Sequence, residues 1–224
     1  MVELIQYGDP DRLLLARVAA EYRGKPDITN IKRPLQLLRM GHMSVFRHPT
    51  ATVRFITSLV TRDHLFRYTT AAMAAAGLRI NTATDFESPA GEGALWDAVA
   101  EGMEVYQTLL DNGVRMQDAR YAVPCGAKVS YIMTFNFQTL MEALFPQRLW
   151  APGAQAETQQ TAEDLFDLLH TQDPTLWEEA QTKFGPEALH WQQVQRTLRR
   201  KDPELYRKLQ REYGNLTSSW DQPS

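Results

Sequence analysis

Gly41-His42-Met43-Ser44-Val45-Phe46-Arg47-His48-Pro49-Thr50-Ala51-Thr52-Val53-Arg54-Phe55-Ile56-Thr57-Ser58-Leu59 sets a cluster of polar side chains directly ahead of a strand. From Thr50 to Leu59, Ala51, Val53 and Phe55 alternate with Thr50, Thr52 and Arg54. That period of two belongs to a strand with one buried face. Upstream, Ile31 to Met40 predicts a helix stopped by Gly41. Downstream, Thr61-Arg62-Asp63 opens a helix expected to run through Phe66 and Met73 to Ala76 and to stop at Gly77. Alanine is the strongest helix former, which favours that reading. On such a helix His64 and Arg67 lie three apart, so both can address one ligand. Arg62 reads as an ion-pair partner at the helix start.

Further out, Val2 to Tyr7 predicts a short strand, and Gly8-Asp9-Pro10-Asp11 a turn before a helix carrying Leu13, Leu14, Val18 and Tyr22. Glu87 to Gly93 reads as a loop, followed by a long helix from Ala94 to Leu110 closed by Asp111-Asn112-Gly113. Lys128 to Thr134 predicts another strand. Helices are expected over Phe137–Leu144, Ala156–His170 and Thr175–Phe184, with two more near the C-terminus. The expected fold is α/β (α+β), helix-rich with a small central sheet. It forms one domain over 1–224, with 185–224 as a C-terminal helical extension.

Bulk properties narrow the function classes. Of 224 residues, 43% are hydrophobic and 23% charged, ordinary for a globular chain. A net charge of −3 gives no global attraction to nucleic acid or an anionic membrane. An anionic ligand therefore needs a local Arg or Lys cluster. One cysteine, Cys125, permits no internal disulfide and no multi-cysteine zinc site. No apolar run nears the ~20 residues of a membrane span. The N-terminus shows no signal peptide pattern, so a cytoplasmic location is expected.

Several motifs are missing. Gly91-Glu92-Gly93 lacks the third glycine of a dinucleotide fingerprint and does not follow a strand. There is no phosphate-binding loop ending in Gly-Lys-Ser/Thr, and none of the five histidines forms a His-Glu-x-x-His pair. No metal site is expected. What remains is His42, Ser44 and Arg47 before the strand; His64, Arg67, Tyr68, Thr69 and Arg79 after it; then Arg120 with Pro124, and Asn136 with Gln138. Arginine suits phosphate and pyrimidine carbonyls because its planar fork donates two parallel hydrogen bonds.

The order and spacing of these segments resemble the flavin-dependent thymidylate synthase family. That family has a Gly-His-x-[Ser/Thr] segment ending in His, a strand, then Arg-His-Arg, seven residues, Ser, one residue and Arg. This chain reads Arg67-Tyr68-Thr69, seven residues from Thr70 to Ala76, then Gly77, Leu78 and Arg79. Ala119-Arg120, Pro124, Thr134-x-Asn136, Leu140, Arg148 and Ala154-Gln155-x-Glu157 keep the family's order. Tyr68 and Thr69 replace the triplet's His and Arg, Gly77 replaces its serine, and Ala75 falls on an acidic position of the spacer. Arg47 stands where the family often has Glu. The late flavin-contacting histidine falls on Gly153, in a stretch blurred by two small insertions. The altered triplet resembles a divergent branch that methylates uridine nucleotides in nucleoside-antibiotic pathways such as polyoxin biosynthesis.

The resemblance implies FAD at the subunit interfaces of a homotetramer, with UMP and/or dUMP as substrate, methylenetetrahydrofolate as one-carbon donor and NADPH as reductant. It places Arg67 where flavin meets nucleotide and makes Arg67 and Arg120 the catalytic candidates. His42, Ser44, Arg47, Arg67, Tyr68, Thr69, Asn136 and Gln138 would hold the cofactor. His64, Arg67, Ala75, Gly77, Arg79, Arg120 and Arg148 would hold the nucleotide. Arg47 would compensate for the charge lost at Thr69, and Gly77 would leave room for a ribose 2′-hydroxyl. Ordinary dUMP-specific synthesis and a non-catalytic flavin- or nucleotide-binding relic stay open as alternatives. Cys125 reads as a buried or semi-buried structural thiol. The basic stretch Arg196 to Arg211 reads as a solvated helix face, with no nucleic acid partner expected. Trp150, Trp177 and Trp191 read as core or interface aromatics.

Overall fold

The computed structural model describes residues 1–26, 29–79, 81–87 and 93–213. In chain order the elements are β1 (Val2–Tyr7), α1 (Leu13–Tyr22), α2 (Arg33–Met40), a 3-10 turn (Met43–Arg47), β2 (Thr50–Ser58), α3 (Leu59–Leu65) and β3 (Ala72–Ala75). Then come α4 (Ala94–Asp111), α5 (Met116–Ala119), a 3-10 turn (Arg120–Ala122), β4 (Lys128–Asn136) and α6 (Phe137–Thr139). Two π turns (Leu140–Leu144 and Pro146–Trp150) lead on to α7 (Ala156–Gln172), α8 (Pro174–Phe184), α9 (Pro186–Lys201) and α10 (Pro203–Tyr213). Of the loop expected over 87–93, only Glu87 and Gly93 are among the described residues. The part of the C-terminal extension beyond 213 also lies outside them.

The four strands form one antiparallel sheet in the order β1-β2-β4-β3. β2 and β4 pair without a break from Thr50↔Asn136 to Ser58↔Lys128. The alternation in β2 works as expected: Ala51, Val53 and Phe55 are fully buried and oppose Phe135, Met133 and Tyr131 of β4. Phe55 stacks on its cross-strand partner Tyr131 with ring centroids 5.3 Å apart. Helices α1, α2, α7 and α8 close over this face, with Leu15, Leu38, Leu165, Leu169 and Trp177 in the shared core. Trp177 donates its indole N–H to the Tyr7 hydroxyl at 3.0 Å, tying α8 to β1. The opposite sheet face carries Thr52, Arg54, Ile132 and Thr134, all exposed or half-buried. An antiparallel sheet with helices segregated to one side is an α+β architecture. Among the described residues no helix is long and apolar enough to cross a membrane.

Two expectations are corrected. The alanine run is not helical. α3 ends at Leu65, and Ala72–Ala75 form the edge strand β3, paired with Thr134 through Tyr131 of β4. A free edge on β4 accepts these small residues, and ladder hydrogen bonds override their helix propensity. The ladder continues one step further, where the Ala76 N–H donates to the Ser130 carbonyl at 3.0 Å. Gly77 therefore stops no helix, whereas Gly41 does, at φ 82°. The second correction concerns the helix after β4. It runs on to Trp150 through two π turns, with the Ala151 N–H reaching the Pro146 carbonyl at 3.0 Å. A residue inserted into a helix is absorbed as such a wider turn.

Candidate active-site cleft

A cleft of about 720 Å³ opens beside the ends of β4 and α3. One wall is the turn after α3, which supplies Arg67, Tyr68, Thr69 and Thr70. The other is the helical stretch after β4, which supplies Asn136, Gln138, Thr139, Glu142, Ala143, Gln147 and Arg148, and Arg47 enters from the 3-10 turn before β2. Three guanidiniums thus face one carboxylate, the local cation cluster that an anionic ligand requires in a chain of net negative charge.

The strands explain this convergence. β2 and β4 are hydrogen-bonded neighbours, so the segments after Ser58 and before Thr50 lie at opposite ends of one ladder. α3 folds the chain back so that Arg67 returns towards the Thr50–Asn136 end. Ser58 starts α3 by accepting the Thr61 N–H at 3.1 Å. Glu157 of α7 accepts from the Ser58 N–H at 2.8 Å, the Thr61 hydroxyl at 2.9 Å and the Ser58 hydroxyl. At the far end of the ladder, Asn136 accepts the Thr139 N–H at 2.8 Å and caps the next helical stretch. Its side-chain NH2 is not used in that cap.

Inside the cleft, Arg148 donates from Nε to the Tyr68 hydroxyl at 3.1 Å and lies 5.9 Å over the Tyr68 ring. Tyr68 is buried, and its hydroxyl accepts from Arg148 while donating to Gln147 Oε1 at 3.4 Å. Burial pushes the phenol up, against the pull of the Arg148 and Arg67 charges. Arg47 donates from Nε to Gln138 Oε1 at 2.5 Å, and Gln138 Nε2 donates to Glu142 at 2.5 Å. The Thr70 and Thr139 hydroxyls join the two walls at 2.7 Å. His64 sits behind the lining, with Nδ1 3.0 Å from the Thr158 hydroxyl. Burial, then the Arg148 and Arg67 charges, push its imidazole below the ordinary histidine range. The imidazole is therefore neutral at neutral pH and can exchange single hydrogen bonds rather than contribute charge.

Of the residues singled out from sequence, Arg47, Arg67, Tyr68, Thr69, Asn136, Gln138 and Arg148 line this cleft. The remainder lie elsewhere on the chain. His42 faces Tyr22, with Nδ1 3.2 Å from its hydroxyl. Ser44 is exposed on the 3-10 turn, and Arg120 is exposed beside Tyr121. Ala75 ends the edge strand, Gly77 and Arg79 follow it, and all three are exposed. Arg67 lies beyond the end of α3, so it reaches the ligand side through a turn rather than a shared helix face with His64. Sequence reasoning missed Thr70, Thr139, Glu142, Ala143 and Gln147. Glu142 was within reach of it, being one helical turn from Gln138. Cys125 is exposed rather than buried. Trp150 and Trp177 are core residues, while Trp191 is 47% exposed. Among the described residues no cluster of His, Cys, Asp or Glu could hold a metal ion.

The fold and cleft define an α+β protein with a cation-lined cleft at the end of a four-stranded antiparallel sheet. The family model of the thymidylate synthase complementing protein matches residues 3–175, and the chain belongs to that family. A flavin-dependent thymidylate synthase from Haloarcula marismortui is 33% identical over 72 residues, 32% of this chain and 28% of that relative. The matched stretch thus spans less than a third of that curated protein. Among solved structures, the UMP/dUMP methylase PolB from Streptomyces cacaoi, bound with 5-Br dUMP, superposes with a TM-score of 0.67 at 22% identity. That match covers 83% of this chain and 96% of the methylase, a likeness of fold.

Proposed function

We propose that the chain is a flavin-dependent methylase of uracil C5, acting on UMP and/or dUMP with methylenetetrahydrofolate as carbon donor and NADPH as reductant. The carrying observation is the convergence of Arg47, Arg67 and Arg148 on one cleft from three separate segments. The donor set fits a ligand with phosphate and carbonyl oxygens: guanidinium forks, the Thr69 and Thr70 hydroxyls, and the NH2 of Asn136. Family membership adds the expectation that part of this ligand is FAD. Bound flavin supplies the redox chemistry, and cations beside the pyrimidine oxygens stabilise the negative charge that C5 attack requires.

Within this reading Arg67 lies where flavin and nucleotide meet. Arg148, held by Tyr68, binds the nucleotide beside His64. Arg47, Thr69, Asn136 and Gln138 hold the cofactor, and Arg47 restores a charge that Thr69 lacks. His42, Ser44, Ala75, Gly77, Arg79 and Arg120 lie off the cleft of one protomer. In a homotetramer they complete the site of a neighbouring copy.

Purified protein is expected to be yellow, to bleach with NADPH, and to convert UMP, dUMP or both into the C5-methylated nucleotide when both are assayed in parallel. Turnover of dUMP alone marks ordinary thymidylate synthesis. NADPH oxidation with no methylated product marks a relic, and protein that takes up no FAD overturns the proposal.

A further inference from the structure

We infer that Glu142, the carboxylate in an otherwise cationic cleft, is a positioning residue that fixes the phosphate-binding fork of Arg47 through the amide of Gln138. The inference rests on the flavin reading above and adds a residue to it. The three side chains form a line: Arg47 Nε to Gln138 Oε1 at 2.5 Å, then Gln138 Nε2 to Glu142 Oε2 at 2.5 Å. Arg47 and Glu142 are both exposed, so packing alone does not immobilise Arg47.

The direction of the line follows from donor and acceptor chemistry. An ionised carboxylate only accepts hydrogen bonds, and a guanidinium only donates them. A glutamine amide between the two has one satisfactory orientation, with its NH2 on the carboxylate and its oxygen on the guanidinium. Without Glu142 the amide can turn over and present its NH2 to Arg47, donor against donor. With Glu142 present, the Arg47 Nε–H is spent on Gln138 and its four remaining N–H groups are held in one plane for a bidentate anion contact. Gln138 and Glu142 are one helical turn apart, a spacing that lets the two side chains meet.

Two opposite signs distinguish this role from a bystander. A carboxylate that merely sits near a bound phosphate repels it, so its removal tightens anion binding. A carboxylate that positions Arg47 supports binding, and its removal loosens it. The experiment titrates purified wild-type, Glu142→Ala, Glu142→Gln, Arg47→Ala and the double variant Arg47→Ala/Glu142→Ala with FAD, following flavin fluorescence, with circular dichroism as the folding check. Glu142→Ala is expected to raise the FAD dissociation constant about tenfold, the scale of a charged hydrogen bond. Glu142→Gln, which keeps an acceptor oxygen, recovers part of that loss. The double variant binds within about twofold of Arg47→Ala alone, because both changes break one line. Glu142→Ala that folds and binds FAD as tightly as wild-type, or tighter, overturns the inference and leaves the flavin reading standing. Additive losses in the double variant also overturn it. Wild-type protein that binds no FAD removes the flavin reading and the inference with it.

Discussion

At the scale of single residues, His64 and Gly77 carry separable predictions. The His64 imidazole is pushed below the ordinary histidine range by burial first and by Arg148 and Arg67 next. Unfolded, the same group takes up its proton near pH 6.5, ahead of the folded form. As pH falls through that range the unfolded chain binds more protons, so stability falls with it. The loss continues until the folded imidazole is protonated as well. The urea midpoint is expected to drop on acidification below about pH 6.5, and His64→Gln to remove part of that drop. Profiles of variant and wild-type that overlay would assign the acid loss to other groups. At Gly77, an added Cβ would meet nothing within 4 Å. Gly77→Ser is therefore expected to fold with stability within about 0.5 kcal/mol of wild-type. If the missing side chain makes room for the ribose 2′-hydroxyl, Gly77→Ser lowers kcat/KM for UMP more than for dUMP. An unchanged ratio of the two sinks that idea.

At the scale of elements, α3 decides where Arg67 points, and its start hangs on Glu157, which takes up one N–H and two hydroxyls of Ser58 and Thr61. Glu157→Ala leaves those donors without their charged acceptor and is expected to cost about 2–3 kcal/mol. Ser58→Ala removes the cap and one hydroxyl from Glu157, leaving the carboxylate on the residue-58 N–H and the Thr61 hydroxyl, and is expected to cost less, about 1 kcal/mol. Urea titrations with unchanged m values measure both, and equal costs would show that the carboxylate adds nothing to the cap. The same element shows what the sequence could convey. β2 was readable because its alternation matches burial residue by residue, and α2 because Gly41 ends it at positive φ. The alanine run was not: its composition is that of a helix, and only the unpaired edge of β4, a long-range partner, makes it a strand. The cleft was half legible. Arg67 and Arg148 stand out as charges with family spacing, and Arg47 as a cation where the family often has Glu. Glu142 was within reach, one helical turn from Gln138, whereas Gln147 became visible only once the two π turns set which side chains line the cleft.

At the scale of the molecule, the sheet's second face asks for an explanation. On it Ile132 is 38% exposed between Arg54 of β2 and Ala74 of β3, beside half-buried Thr52 and Thr134. One wet face is ordinary for an antiparallel sheet. The edge strand bounding this face, however, ends at Ala75 and leads on to Gly77 and Arg79, and none of the three lines the Arg67 cleft of its own protomer. The proposed homotetramer accounts for both facts if a second copy covers the face and receives these residues at its own site. Ile132→Glu tests this contact. In an isolated chain a carboxylate at a position 38% exposed stays hydrated and changes stability little. Buried between two copies it would lose its water and lean on Arg54, its cross-strand neighbour, which already pairs with Glu3, so a net cost of about 2–3 kcal/mol is expected. The variant is expected to keep its secondary structure, to sediment as a smaller species than wild-type, and to retain less FAD because each site loses its neighbour's residues. A variant that stays tetrameric moves the contact to another surface. A monomeric wild-type protein that still methylates its nucleotide would dismiss the shared site, and with it any role for Arg79 and Arg120 in the chemistry of a neighbouring copy.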